Sequence, residues 1–303
     1  MLQYFLILFS GGIIHKRTRP PQVPAKLLNS STDYINDIEK PACHESRANF
    51  SELQEALSLV YQQYRKFGYT QFNEHGLRIS GYELLPSSTV FIDTAEDGVC
   101  GTVTLIEDSI AGLPADGEFA DELNALRAKG RKVAEASMFA CEDEAQAGSN
   151  AALIGALFNA CTGNRIDDLI LVVNPKHVAF WHKVLGFDVL ANERVCGRIC
   201  DAPGILLHLD IAEIVAGRKK LNSFASRLLL QSRFGEGSTV KRYNATAKDV
   251  LELLKHCSTA GVSIAPVKVL RALSVLYEAE SRSVSRFIDK FLFEGQSGPG
   301  ALI

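Results

Sequence analysis

The apolar positions of this chain switch between two periods, and the switches mark its elements. From Phe50, apolar residues recur at helical spacing through Leu53, Leu57, Val60, Tyr61 and Tyr64. Ser51-x-x-Gln54 offers a capping box at the start of this helix, and Gly68 ends it. Two strand-like runs follow, Thr89–Thr94 and Val99–Ile106, joined by Ala95-Glu96-Asp97-Gly98, whose Asp-Gly pair predicts a hairpin. After a Gly/Pro/Asp loop over 108–117 and a short helix over 119–128, Lys132–Cys141 alternates as a strand. Its pattern places Val133, Glu135, Ser137 and Phe139 on one face and Ala134, Ala136, Met138 and Ala140 on the other. Asn150–Cys161 predicts a helix. Leu169–Val173 is an unbroken Leu/Ile/Val run, as in a strand buried on both faces. Pro175 opens a helix striped by Val178, Trp181, Val184 and Leu185, and Gly186 stops it. Strands near 187–190 and 204–209 close the series.

This order predicts an α/β fold with a mixed central sheet and flanking helices over 49–212. Residues 1–48 read as an irregular leader with an apolar start and several prolines. Residues 213–303 read as a mainly helical C-terminal region, with helices over 248–257, 266–278 and 281–293; the first is entered through Thr246-x-x-Asp249.

Composition narrows the functional classes. Hydrophobic residues make up 47% and charged residues 22% of the 303 positions, with a net charge of −3. That balance provides no general attraction to nucleic acid. The apolar run Met1–Ile14 is shorter than the roughly 20 residues a spanning helix needs, and its basic cluster follows rather than precedes it. At most a weak membrane association is expected, in a cytoplasmic protein. The seven cysteines are odd in number, irregular in spacing and without C-x-x-C, so they read as reduced thiols. A zinc site from Cys196, Cys200 and His208 would lack a fourth ligand, and no metal is expected. The formal glycosylation sequons carry no weight without an export signal.

Glu135 is the most informative single residue. A carboxylate in the middle of an apolar strand is costly to bury unpaired, and burial raises its pKa toward the range useful to a general base. A structural glutamate paired with an arginine such as Arg78 or Arg127 is the alternative.

The unit from Leu169 to Phe187 resembles the strand–helix segment of the GNAT superfamily of N-acetyltransferases. Asn174-Pro175-x-His177, Phe180-Trp181, Leu185-Gly186-Phe187 and Ala202-Pro203 resemble one branch, the N-acyl amino acid synthases. Glu135-x-Ser137-x-Phe139-Ala140 is similar to a strand of those enzymes and of acyl-homoserine lactone synthases, and Val60-Tyr61-x-x-Tyr64 through Gly68-Tyr69 is a weaker match. The resemblance covers roughly residues 50–212. It implies transfer of a long-chain acyl group from a carrier thioester to an amine, with Glu135 and Ser137 as catalytic residues. It also implies that Phe139, Ala140, Cys141, Asn174 and Trp181 surround the phosphopantetheine arm, which acyl carrier protein or coenzyme A would present as a substrate and not as a tightly bound cofactor.

Three departures accompany it. Met138 stands where those strands carry arginine, Trp181 where the helix carries tyrosine, and Val195–Asp201 lacks the usual aromatic and Val-Asn residues. An indole N–H, unlike a phenol, does not protonate a leaving thiolate. His182 is adjacent but lies about 100° around the helix. Cys141–Ala152 has one glycine and the carboxylates Glu142, Asp143 and Glu144, a poor cradle for a coenzyme pyrophosphate. An acyl carrier protein therefore fits better as donor, and the basic run Arg127, Lys129, Arg131 and Lys132 is a candidate dock, with a solvated basic loop as the alternative. The alternatives are a coenzyme A-dependent N-acetyltransferase and a catalytically silent acyl-binding protein.

Overall fold

A computed structural model describes residues 47–142, 147–230, 239–259, 266–278 and 281–295. All of them belong to one compact unit, Ser46–Ile303. The apolar run at the amino terminus, the leader up to residue 46 and Asp143–Gln146 lie outside the described residues.

The first helix, α1 (Phe50–Lys66), is capped by Asn49 rather than by Ser51. The Asn49 side chain accepts from the Glu52 N–H at 3.0 Å, and the Asn49 N–H donates to the Glu52 carboxylate at 2.8 Å. Two capping boxes overlap in this sequence. The one that ends in glutamate prevails, because its carboxylate also meets the positive end of the helix.

Seven strands form one sheet in the order β5-β6-β4-β3-β2-β1-β7. They are β1 (Ser88–Ala95), β2 (Gly98–Glu107), β3 (Val133–Cys141), β4 (Asp168–Val173), β5 (Asp188–Cys196), β6 (Ala202–Asp210) and β7 (Thr239–Tyr243). The predicted hairpin is present as β1–β2, with Ala95 paired to Gly98. Only β3 and β4 run parallel; the other pairs are antiparallel. Between β2 and β3 lies α2 (Asp116–Ala128), and between β3 and β4 lies α3 (Ala147–Gly163). The proline-started segment is a 3-10 turn, Pro175–His177, that runs into α4 (Val178–Lys183).

The sheet is covered on both faces. One face carries a core in which Leu53, Leu57 and Val60 of α1 and Phe119 and Leu123 of α2 meet Ile106, Val133, Met138 and Ile170. Strand alternation turns Val103, Leu105, Leu169 and Leu171 to the other face, where α3 contributes Leu153 and Leu157. After β6 come α5 (Ile211–Val215), α6 (Ser223–Leu230), α7 (Ala247–Thr259), α8 (Val267–Tyr277) and α9 (Arg282–Gly295). The Thr246–Asp249 capping box of α7 forms as expected.

The carboxyl-terminal residues do more than add helices. Strand β7 extends the sheet beside β1, and Val250, Leu253, Leu270 and Leu273 join the same core as α1. The hydroxyl of Tyr277, buried, lies 2.9 Å from the Leu84 carbonyl and 3.0 Å from the Ala245 carbonyl and is shared between them. No helix among the described residues is long and apolar enough to cross a membrane.

Candidate active site

The site begins as a defect in the sheet. Strands β3 and β4 pair only through Val133, Ala134 and Glu135 against Asp168, Leu169 and Ile170. Beyond Glu135 the ladder stops and the strands diverge. On its other edge β3 carries a bulge. Thr102 pairs with Ala140 and Thr104 with Ser137, so Val103 opposes both Met138 and Phe139. Met138 takes a left-handed conformation with φ of 54°, which costs a non-glycine residue about 1–2 kcal/mol.

The bulge corrects the alternation expected from the sequence. Paired residues share a face, so Glu135, Ser137 and Ala140 face one way with Ile106, Thr104 and Thr102. Met138 joins the core on that same face. Phe139 goes to the opposite one, edge-on to Trp181 with ring centroids 6.3 Å apart.

A cavity of about 680 Å³ occupies the gap, within the range of small-molecule sites. It reaches both sides of the sheet. One end is apolar, with Val103, Phe139, Leu157, Leu171 and Trp181 in its wall. Trp181 is held there by edge contacts with Phe180 and Phe187 at 5.6 and 5.4 Å. The other end is polar and is lined by Arg78, Tyr82, Glu118, Glu135 and Arg198, with Tyr64 beside them.

Glu135 is only 1% exposed. Its Oε2 accepts from the Ala115 N–H at 2.8 Å and its Oε1 from Arg198 Nη1 at 3.1 Å. Burial pushes its carboxyl above the usual range, against the opposing pull of Arg198 and the Ala115 N–H. The arginine that pairs with Glu135 is Arg198 and neither of the two named from the sequence. Arg127 forms ion pairs with Asp108 and Asp116. Arg78 lies 4.8 Å over the Tyr64 ring and donates to the Arg198 carbonyl at 2.8 Å. Arg198 comes from a 3-10 turn, Gly197–Ile199, followed by Cys200 and Asp201, both left-handed. That turn is part of the segment whose sequence departs from the resembled family.

Ser137, Phe139 and Trp181 line the cavity together with Glu135. The other sequence candidates take different places. Ala140 is fully buried on the Glu135 face. The thiol of Cys141, buried, donates to Asn150 Oδ1 at 2.8 Å. The Asn174 side chain accepts from the Lys176 N–H at 3.2 Å and caps the 3-10 turn. His182 Nδ1 donates to the Phe187 carbonyl at 2.6 Å, which places it in the exit of α4 rather than at the cavity. Burial and the neighbouring Lys176 lower the pKa of His177 to about 4, so it is neutral at physiological pH.

The candidate zinc residues do not come together. Among the described residues, the one group with metal-ligand spacing is Asp168, His208 and Asp210, with ligand atoms within 4.8 Å of one another. A cation is already there. Arg131 pairs with Asp168 and, at 2.8 Å, with Asp210, while His208 Nε2 meets Asp168 at 2.6 Å.

Residues 55–210 match the family described as N-acyl amino acid synthase FeeM. Among solved structures, that of FeeM, an N-acyl amino acid synthase from uncultured soil microbes, is 28% identical. The match covers 56% of this chain and 96% of that one, with a TM-score of 0.50. The acyl-homoserine lactone synthase LasI is 17% identical over 62% of this chain and 92% of its own, with a TM-score of 0.46. The coenzyme A-dependent acyl-homoserine lactone synthase BjaI is 16% identical over 57% and 84%, with a TM-score of 0.41. No curated protein matches the chain.

Proposed function

The chain belongs to the FeeM family of N-acyl amino acid synthases and is an acyltransferase, and we propose that it moves a long-chain acyl group from a phosphopantetheine thioester on an acyl carrier protein to the amine of an amino acid or a similar small amine. One observation carries this reading: the cavity runs through the gap between β3 and β4 and joins an apolar end to a polar end at a buried carboxylate.

The chemistry follows from that arrangement. The acyl and pantetheine chains occupy the apolar end, against Phe139, Leu157, Leu171 and Trp181. The acceptor occupies the polar end. Its amine nitrogen attacks the thioester carbonyl, the C–N bond forms, and the C–S bond breaks. Glu135 takes the proton from the amine, for which its raised pKa suits it. Ser137, on the same face, orients the amine. The bulge at Met138 leaves peptide groups of β3 outside the β2 ladder, and the β4 ladder has already ended. Those groups are available to hold the negative oxygen of the tetrahedral intermediate. The thiolate departs and takes its proton from solvent, since Trp181 has none to give at neutral pH.

A carrier protein as donor is supported by the carboxylates and the single glycine of Cys141–Ala152. The basic run before β3 supports docking only weakly. Arg127 and Arg131 are held by aspartates, and Lys132 pairs with Glu107 at 2.7 Å and with the Asn164 carbonyl at 3.0 Å.

The test is incubation with acyl-carrier protein or acyl-coenzyme A and an amino-acid mixture, followed by mass spectrometry of the lipid extract. N-acyl amino acids are expected, formed faster from the carrier-bound donor. Glu135→Gln should cut turnover by about 10²–10⁴-fold. Full turnover in that variant would make Glu135 structural, and product from acetyl-coenzyme A alone would favour the acetyltransferase reading.

A further inference from the structure

The polar end of the cavity is completed by a part of the chain outside the family match, which ends at residue 210. Pro266, Val267 and Lys268 form part of its wall. They are the first turn of α8 and the residue before it, and among the described residues no side chain caps that helix end. Its leading N–H groups and its positive pole therefore lie at the rim of the cavity.

A second feature lies beneath it. Tyr82 is 3% exposed, lines the cavity, and its buried hydroxyl has no hydrogen-bond partner among the described residues. The Lys268 ammonium lies 5.8 Å from the centre of the Tyr82 ring. The carboxylate near Lys268, Asp116, is already engaged by both Arg127 Nη groups and by the Leu113 N–H. Among the described residues the lining carries the cations Arg78, Arg198 and Lys268 and the carboxylates Glu118 and Glu135, with Glu83 close to Arg78 and Asp116 close to Lys268. The placement of α8 is secured independently, because Tyr277 at its far end bonds to the Leu84 carbonyl, on the same 3-10 turn as Tyr82.

We propose that Lys268, the first turn of α8 and the Tyr82 hydroxyl form a recognition site for the carboxylate of the acceptor, so that residues beyond the family domain choose which amines are acylated. This rests on the acyl-transfer reading. An amino acid bound with its amine toward Glu135 sets its carboxylate beside the Lys268 ammonium, the Tyr82 hydroxyl and the first turn of α8.

The experiment pairs each amino acid that serves as acceptor with its decarboxylated amine. Lys268→Ala should raise KM for the amino acid on the order of tenfold, the size of one charge-assisted hydrogen bond. It should leave kcat nearly unchanged and KM for the decarboxylated amine unaltered. Lys268→Arg should restore the wild-type value, and Tyr82→Phe should reproduce the discrimination in weaker form. Equal losses on both members of a pair, or a change in donor KM instead, would overturn the assignment. Should the wild type acylate no amine, the acyl-transfer reading fails by itself. Calorimetry of the amino acids on wild type and Lys268→Ala then decides the carboxylate site: binding lost in the variant supports it, and binding unchanged or undetectable in both refutes it.

Discussion

Replacing Arg198 with methionine should convert the electrostatics of the site into a visible pH shift. The substitution keeps the length of the side chain and removes the one cation among the described residues in hydrogen-bond contact with Glu135. Glu135 is almost wholly buried and Arg198 only about a quarter exposed (26% for its side chain), so solvent screens the pair weakly. Two unit charges about 4 Å apart in a medium of effective dielectric about 20 interact by about 4 kcal/mol. With about 1.4 kcal/mol per pKa unit, that bounds the effect near 3 units; relaxation and entering water bring the expectation to about 1–3. The sign is fixed. Loss of the cation disfavours the carboxylate, so a pKa already raised by burial rises further. Glu118, whose carboxylate lies 3.7 Å from Arg198 Nε, loses its nearby cation as well and pushes the same way. In a profile of log kcat/KM against pH, the acidic limb should move to higher pH by about 1–3 units, with the rate recovered on the alkaline plateau. Arg198→Lys should move it little. A limb that stays in place, or a loss by one constant factor at every pH, would refute the role given to Glu135 as the titrating base.

Other perturbations probe the frame around the site. Asp168 is fully buried between Arg131 and His208, whose hydrogen bonds outweigh burial and hold its carboxyl below the usual range. Asp168→Asn should cost about 3 kcal/mol in urea unfolding by leaving Arg131 underpaired. Because the native pKa is depressed, that stabilisation is present above the unfolded value and lost as pH falls through the folded one, so wild type and variant should converge in acid. Gly204→Ala should destabilise by about 1–3 kcal/mol in thermal melts, since its Cβ would stand 2.6 Å from both Cys196 Sγ and Val172 Cγ1. Tyr277→Phe should cost about 1–2 kcal/mol and raise amide exchange in α8, because it removes the shared bond to Leu84 and Ala245.

Much of the fold was legible wherever local chemistry decides it. The hairpin at Ala95–Gly98, the buried strand before Pro175, the stop at Gly186 and the Thr246 capping box each follow from a few adjacent residues. Strand β7 was missed because Thr239–Tyr243 is short and largely polar; its place at the sheet edge is set by pairing with β1, far back in the chain. The bulge at Met138 was missed because no glycine marks the left-handed residue. Within the site, Glu135 stood out as a charge in an apolar strand. Its partner did not: Arg198 is 63 residues away, and the distance is closed by the β5–β6 connection rather than by any local pattern. The available signal was its place in Val195–Asp201, the segment expected from the sequence to differ from the resembled family. Tyr82 and Lys268 gave none, since a tyrosine and a lysine become informative only once their neighbours are known.

The parting of β3 from β4 is written into the main chain, by a ladder that ends at Glu135 and a bulge at Met138. A passage made this way does not depend on any one side chain for its existence. Its lining can therefore be substituted without closing the route through the sheet. Such a scaffold separates two tasks. The opening belongs to the backbone, while what it admits is set by the side chains that line it.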